Sequence, residues 1–144
     1  MARPAPAPPL SPWRFLRDLV LVLGSVGAVL FAITRWVAMP WAVEGPSMAP
    51  TLRDGDRVIV SLTSYRRDPP RVGDVVLIEG PGGLPLVKRV SALTPPVGPG
   101  MVWVLGDNPP ESSDSRSFGP LPVGRVRGRV TWRYWPPSSW GAIE

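Results

Sequence analysis

Residues 123–135 read VGRVRGRVTWRYW, and this stretch decides between helix and sheet. Val126, Gly128, Val130, Trp132 and Tyr134 alternate with Arg125, Arg127, Arg129, Thr131 and Arg133. A period of two is what a strand produces, with one apolar face and one basic face. Working outward, the helix period is absent after Glu44. Short β-branched runs replace it: DRVIVSL (56–62), GDVVLIEG (73–80), LPLVKRVSAL (84–93) and MVWVL (101–105). Pro/Gly punctuation separates them as RRDPPRVGD, GPGG, TPPVGPG and GDNPPESSDSR. The fold class implied is mainly β, an all-β domain of about 100 residues. No internal repeat is visible.

The N-terminal third has a different character. From Leu19 to Thr34 the chain reads LVLVLGSVGAVLFAIT without a charge. Phe15–Leu16 before it and Trp36–Val37 after it extend the run to spanning length if Arg35 snorkels to the interface. Trp13, Trp36 and Trp41 stand where an aromatic belt would lie. Arg3, Arg14 and Arg17 precede the run, which puts the N-terminus in the cytoplasm and the remainder outside. A cleaved signal peptide is the alternative, but the small residues after the run have Trp36 or Pro40 at the −3 place. The expected organisation is a Pro-rich cytoplasmic tail (1–14), a single transmembrane anchor (15–37), a β domain (41–136) and a C-terminal tail (137–144).

Composition narrows the chemistry. The 144 residues contain no cysteine and no histidine. That removes disulfides, thiolate nucleophiles, imidazole bases and histidine or cysteine metal sites. The net charge of +5 comes from fifteen arginines and one lysine, and suits anionic lipid or nucleic acid without choosing between them. The single lysine is Lys88, inside LPLVKRV. Residues two apart share a face, so Leu84, Leu86, Lys88 and Val90 point together, toward the apolar side. Burial disfavours an ammonium and lowers its pKa, whereas an arginine stays charged and cannot act as a base. A surface lysine on an edge strand would read the same way. A base also needs a group to activate, and VEGPSMAPTLRDGD (43–56) offers Ser47 in a Gly/Pro-bent segment.

That string resembles the nucleophile box of the type I signal peptidases, the membrane-anchored Ser/Lys proteases. GDVVLIEGPGGLPLVKRV is similar to their lysine box, GDNPPESSDSRSFGPLP to their third box, and GDRVIV to the strand between. The similarity runs in order over about residues 41–135. The resemblance implies a compact signal-peptidase-like catalytic domain with Ser47 as nucleophile and Lys88 as general base. It implies that Ser112 orients the lysine amine, and that Asp107, Asp114 and Arg116 shape its surroundings. Val43, Met48, Leu52, Leu86 and Val87 would line the substrate pockets, or serve as plain core. Many relatives carry a serine two places before the nucleophile, where this chain has Gly45. The oxyanion would then rest mainly on the Ser47 backbone N–H, with no side-chain donor at Gly45. Pro109, Pro110 and Glu111 depart from the usual third box.

The implied partners are signal-peptide-bearing preproteins and the lipid bilayer, with no nucleic acid, no metal and no cofactor, at the plasma membrane with the catalytic domain extracytoplasmic. The chain also looks like the small maturation proteases of nickel-type superoxide dismutase, which would mean one dedicated substrate. The self-cleaving repressors share Ser/Lys chemistry but need a DNA-binding domain and usually an Ala-Gly site, absent here. From another class, the arginine stripe at 125–133 would suit a non-catalytic, membrane-tethered lipid- or nucleic-acid-binding module. Of the C-terminal aromatics, Trp132 and Tyr134 read as core, while Trp135 and Trp140 are free to enter the membrane interface.

Overall fold

The computed structural model describes residues 12–93 and 100–144, and the backbone alone at 34–36. Expectations for the N-terminal tail up to Ser11, Arg3, the TPPVGP punctuation and the side chains of Arg35 and Trp36 lie outside the described residues. The chain divides into two compact units, Met1–Ile33 and Thr34–Glu144.

The first unit contains the helix α1, Pro12–Trp36. Its segment Pro12–Ile33 has 22 residues and a mean hydropathy of 2.1. At 1.5 Å per residue it reaches about 33 Å, enough for a hydrocarbon core of about 30 Å. Leu21, Val22, Leu23, Val29, Leu30 and Phe31 are all exposed. A helix apolar on every side needs an apolar solvent, and by length and composition this one is able to cross a membrane.

The second unit is an antiparallel sheet. Its strands are β1 (Ala38–Ala42), β2 (Arg57–Ser61), β3 (Val75–Glu79), β4 (Pro85–Ala92), β5 (Met101–Leu105), β6 (Leu121–Pro122), β7 (Val126–Trp135) and β8 (Gly141–Ala142). The order is β1-β2-β7-β3-β4-β5-β6, with β8 pairing β7. Mainly β architecture after one N-terminal apolar helix is therefore what the sequence adopts. Both faces of the central strands are covered. Val75 and Leu77 of β3 join Val58, Val60, Val87 and Val130 in one core, while Val76 and Ile78 join Val90, Val102, Val104 and Leu121 in a second. That is why VVLIE is continuously apolar instead of alternating.

Three details differ from expectation. Trp132 is not core but 47% exposed. In the β2–β7 pairing Val60 opposes Val130, Ile59 opposes Trp132 and Val58 opposes Arg133. Thr131 is thus an extra residue on β7, a bulge that reverses the alternation beyond it. Val58 and Val60 share the inner face, so Arg133 turns inward in place of Trp132. Its guanidinium donates to the buried Asp56 carboxylate at 3.0 Å and to the Thr51 carbonyl at 3.0 Å. Second, Trp41 belongs to β1 and packs against the first core. Third, the C-terminal segment docks on the sheet: β8 pairs β7, the Ile143 N–H donates to the Thr131 carbonyl at 3.0 Å, and Ile143 is buried in the first core.

The arginine stripe is largely occupied. Arg127 pairs with Glu79, Arg129 with Asp74 and Arg133 with Asp56. Arg127 and Arg129 remain partly exposed, but each phosphate contact would compete with a carboxylate of the same chain, which weakens the case for the non-catalytic module.

Candidate active site

The segment between β1 and β2 is fixed at both ends. The Val43 N–H donates to the Asp56 carbonyl at 2.8 Å, and the Gly55 N–H returns to the Val43 carbonyl at 2.9 Å. Gly45 adopts φ +80°, the left-handed region glycine tolerates, and its N–H donates to Asp54 Oδ1 at 2.7 Å. A turn follows, closed by Ala49 N–H to the Pro46 carbonyl at 3.0 Å, and then Leu52 N–H to the Met48 carbonyl at 2.9 Å. Met48 and Leu52 are fully buried and anchor the loop in the first core. Ser47, beside Met48, is half-buried and lines a cleft of about 170 Å³.

Lys88 lines the same cleft from β4. It pairs across to Val76, in the middle of the second core, and is 2% exposed. Leu84, expected on the same face, lies just before β4 and is exposed. The Lys88 amine donates no hydrogen bond among the described residues. No described side-chain nitrogen is both buried and unpartnered, so the amine must open onto the cleft. Burial pushes the Lys88 pKa below the ordinary lysine value; the Asp114 carboxylate works against this and the Arg116 guanidinium adds to it.

Asp114 is fully buried at the N-cap of the short helix α2, Ser115–Phe118. It accepts from the Gly106 N–H at 2.9 Å, the Ser112 hydroxyl at 2.7 Å, and Arg116 through Nε at 2.8 Å and Nη2 at 2.5 Å. Burial alone would raise its pKa, but the Arg116, Gly106 and Ser112 donors outweigh this and hold it well below the carboxylate range. Ser112 gives its only proton to Asp114, which leaves the oxygen lone pairs to accept from an amine. Gly106 lies between the two serines. A Cβ there would be 2.5 Å from the Ser47 carbonyl oxygen and would overlap the Ser112 hydroxyl. Only glycine lets these strands of the site approach.

The remaining expected residues divide. Val43, Met48, Leu86 and Val87 line the cleft with Ser47 and Lys88, together with Trp41 and Glu44. Leu52 is fully buried in the core and does not line it. Asp107 faces away from the lysine: it accepts from Arg89 at 2.9 and 2.8 Å and from the Thr51 hydroxyl at 2.6 Å. These bonds from Arg89 and Thr51 outweigh burial and lower its pKa. Arg89 also donates to the carbonyls of Gly73 and Glu144, both at 2.8 Å.

Asn108 is a residue that reading the sequence missed. Its backbone N–H donates to the Ser47 carbonyl at 3.0 Å, and its Nδ2 to the Pro46 carbonyl at 3.1 Å. Its place in GDNPP, within the string that resembles the family's third box and just before two prolines that stiffen the backbone, was an available signal. Among the described residues no carboxylate cluster could hold a metal ion.

Comparison with known proteins shows the family. The profile of the family described as signal peptidase, peptidase S26, matches residues 16–96 and 91–135. The chain is 32% identical to the probable signal peptidase I-1 of Synechocystis sp., over 92% of this chain and 89% of that protein. It is 36% identical to the human mitochondrial inner membrane protease subunit 1, with 82% of each chain covered. The mitochondrial ATP-independent inner membrane protease subunit 1a of Arabidopsis thaliana is 34% identical, with 87% of each covered. The apolar helix, the sheet and the serine–lysine cleft thus occur in a chain that belongs to the signal peptidase family, peptidase S26.

Proposed function

We propose that this chain is a membrane-anchored serine endopeptidase that removes signal peptides from exported precursors, with Ser47 as nucleophile and neutral Lys88 as general base. The observation that carries this reading is the convergence of Ser47 and the desolvated Lys88 on one cleft. In a chain without histidine, a lysine whose pKa is lowered by burial is the group suited to take a serine proton near neutral pH. Lys88 accepts the Ser47 proton as Oγ attacks the scissile carbonyl. The C=O π pair moves to oxygen and a tetrahedral oxyanion forms. Its collapse breaks the C–N bond, the Lys88 ammonium protonates the leaving amine, and the acyl group stays on Ser47. Water, deprotonated by Lys88, then hydrolyses the ester and regenerates the hydroxyl. Asp114 and Arg116 act on the Lys88 charge from opposite directions, and Ser112, bonded to Asp114, is the hydroxyl we assign to orient the amine during the reaction.

The substrate reading follows from the walls of the cleft. Trp41, Val43, Leu86 and Val87 form the apolar part of the wall of a cleft of about 170 Å³ that also exposes Glu44, Ser47 and Lys88, a small space suited to an extended segment with small side chains at −1 and −3. The exposed apolar helix supports a membrane anchor, and Arg14 and Arg17 near its start support a cytoplasmic N-terminus with the catalytic unit outside the plasma membrane. The test is cleavage of a preprotein whose signal ends in Ala-x-Ala by the detergent-solubilised full chain. Wild type cuts after the second alanine and Ser47→Ala does not; equal cutting by both sinks the assignment.

A further inference from the structure

We propose that Asn108 is a positioning residue for the oxyanion site, aiming the Ser47 N–H into the cleft by holding the carbonyl on the other side of the same peptide unit. The inference rests on Ser47 being the nucleophile.

The Pro46 carbonyl and the Ser47 N–H belong to one planar peptide group. That bond is trans, the cis bonds among the described residues being Ala49–Pro50 and Trp135–Pro136. In a trans peptide the C=O and N–H point in opposite directions, so fixing one fixes the other. The Pro46 oxygen accepts two hydrogen bonds, from the Ala49 N–H at 3.0 Å and from Asn108 Nδ2 at 3.1 Å. The first comes from the turn itself. The second comes from a loop more than sixty residues away in sequence and ties the turn to the segment carrying Gly106 and Ser112. The next peptide is held as well, since the Asn108 N–H donates to the Ser47 carbonyl at 3.0 Å. The Ser47 N–H itself donates to no group among the described residues.

This matters more here than in a site with a side-chain donor. Gly45 carries no hydroxyl, so the oxyanion depends on a backbone N–H whose direction must be right before the reaction begins. A bond donated to the Pro46 carbonyl also polarises the peptide and makes its N–H the better donor. As Ser47 Oγ bonds to the scissile carbon and the π pair moves to oxygen, the charge develops where that N–H points. The Ser47 proton goes to Lys88, so Asn108 takes part in no proton transfer.

The experiment compares wild type, Asn108→Ala, Asn108→Asp and Ser47→Ala as full chains in detergent, on the same Ala-x-Ala precursor and with a peptide aldehyde that forms a tetrahedral adduct on the serine. Removing an oxyanion donor costs about 10²–10³ in kcat, and loosening its aim should cost roughly tenfold. The expected result for Asn108→Ala is that fall in kcat with KM within about twofold, and aldehyde affinity weakened by the same factor as kcat/KM. Asn108→Asp keeps the shape but sets an acceptor against a carbonyl, so it falls further. The acidic limb of the pH profile stays in place, because Asp114 and Arg116 are the charges acting on Lys88. If Asn108→Ala does not fold, Asn108→Asp, which keeps the side-chain shape, carries the comparison. Unchanged kcat in either folded variant, or a loss confined to KM, overturns the proposal. Cutting by Ser47→Ala would instead overturn the nucleophile assignment on which it rests.

Discussion

Lys88→Met exchanges the buried amine for an apolar chain of similar length, and the structure fixes the sign of its effect on stability. Lys88 is 2% exposed, among Val76 and Val90, and its amine has no hydrogen bond within the described residues. The amine opens only onto the cleft, and partly desolvating an ammonium in this way costs about 1–3 kcal/mol, so the variant is expected to be more stable than wild type by about that amount near pH 6. For a domain of this size that is roughly 4–10 °C in Tm. The gain should depend on pH. Below the lowered folded pKa the amine is charged in both states and the wild type carries the full penalty. As pH rises through that value the native state releases the proton while the unfolded chain keeps it until about pH 10.4. Wild-type stability therefore climbs across this window, by up to about 1.36 kcal/mol per pH unit, and Met has no such slope. Thermal melts followed by near-UV circular dichroism from pH 6 to 10, on full chains in detergent, read the difference directly. Lys88→Met should be inactive throughout. A variant less stable than wild type at pH 6, or a difference that does not shrink as pH rises, would refute the desolvation argument.

Other consequences are open to simpler assays. Arg116→Gln removes a cation that depresses the Lys88 pKa, so the acidic limb of kcat/KM should move to higher pH; no movement would count against Arg116 acting on the base. Gly106→Ala inserts a Cβ into the Ser112 hydroxyl and the Ser47 carbonyl, and kcat should fall by about 100-fold or more as the groups part by ångström-scale distances, with far-UV circular dichroism retained. Arg133→Leu leaves the 4% exposed Asp56 without its guanidinium and should cost about 3 kcal/mol, seen as a clear drop in Tm with no change in pH profile.

What was legible in the sequence is explained by where the information lay. Ser47 and Lys88 are singled out by the resemblance of VEGPSMAPTLRDGD and LPLVKRV to the family's boxes; a serine in a Gly/Pro turn or a lysine in an apolar strand reads by itself equally well as structural. The sheet could be read because β2, β3, β4, β5 and β7 are rich in β-branched residues. The error at Trp132 arose because a bulge at Thr131 shifts the phase of β7, and alternation carries no mark of an inserted residue. β1 was hidden in WVAMPWAV, whose apolar run continues that of the helix. β8 was hidden because two residues of strand are held by their partner, not by their own pattern. Asn108 and Gly106 act through backbone proximity: one donates to carbonyls some sixty residues earlier, the other matters for the side chain it lacks. Asp107 was grouped with Asp114 and Arg116 through the family resemblance, yet Arg89 and Thr51 draw it elsewhere.

Because Lys88 is the single lysine in the chain, its protonation can be followed without interference. Isotope labelling with lysine alone gives one side-chain εCH₂ resonance, whose shift against pH titrates this amine in the full chain in detergent. The expected midpoint lies clearly below the ordinary lysine value near 10.5, and it should coincide with the acidic limb of kcat/KM for precursor cleavage. An amine titrating at the ordinary value, or an activity limb unrelated to its midpoint, would contradict the assignment of Lys88 as the neutral base.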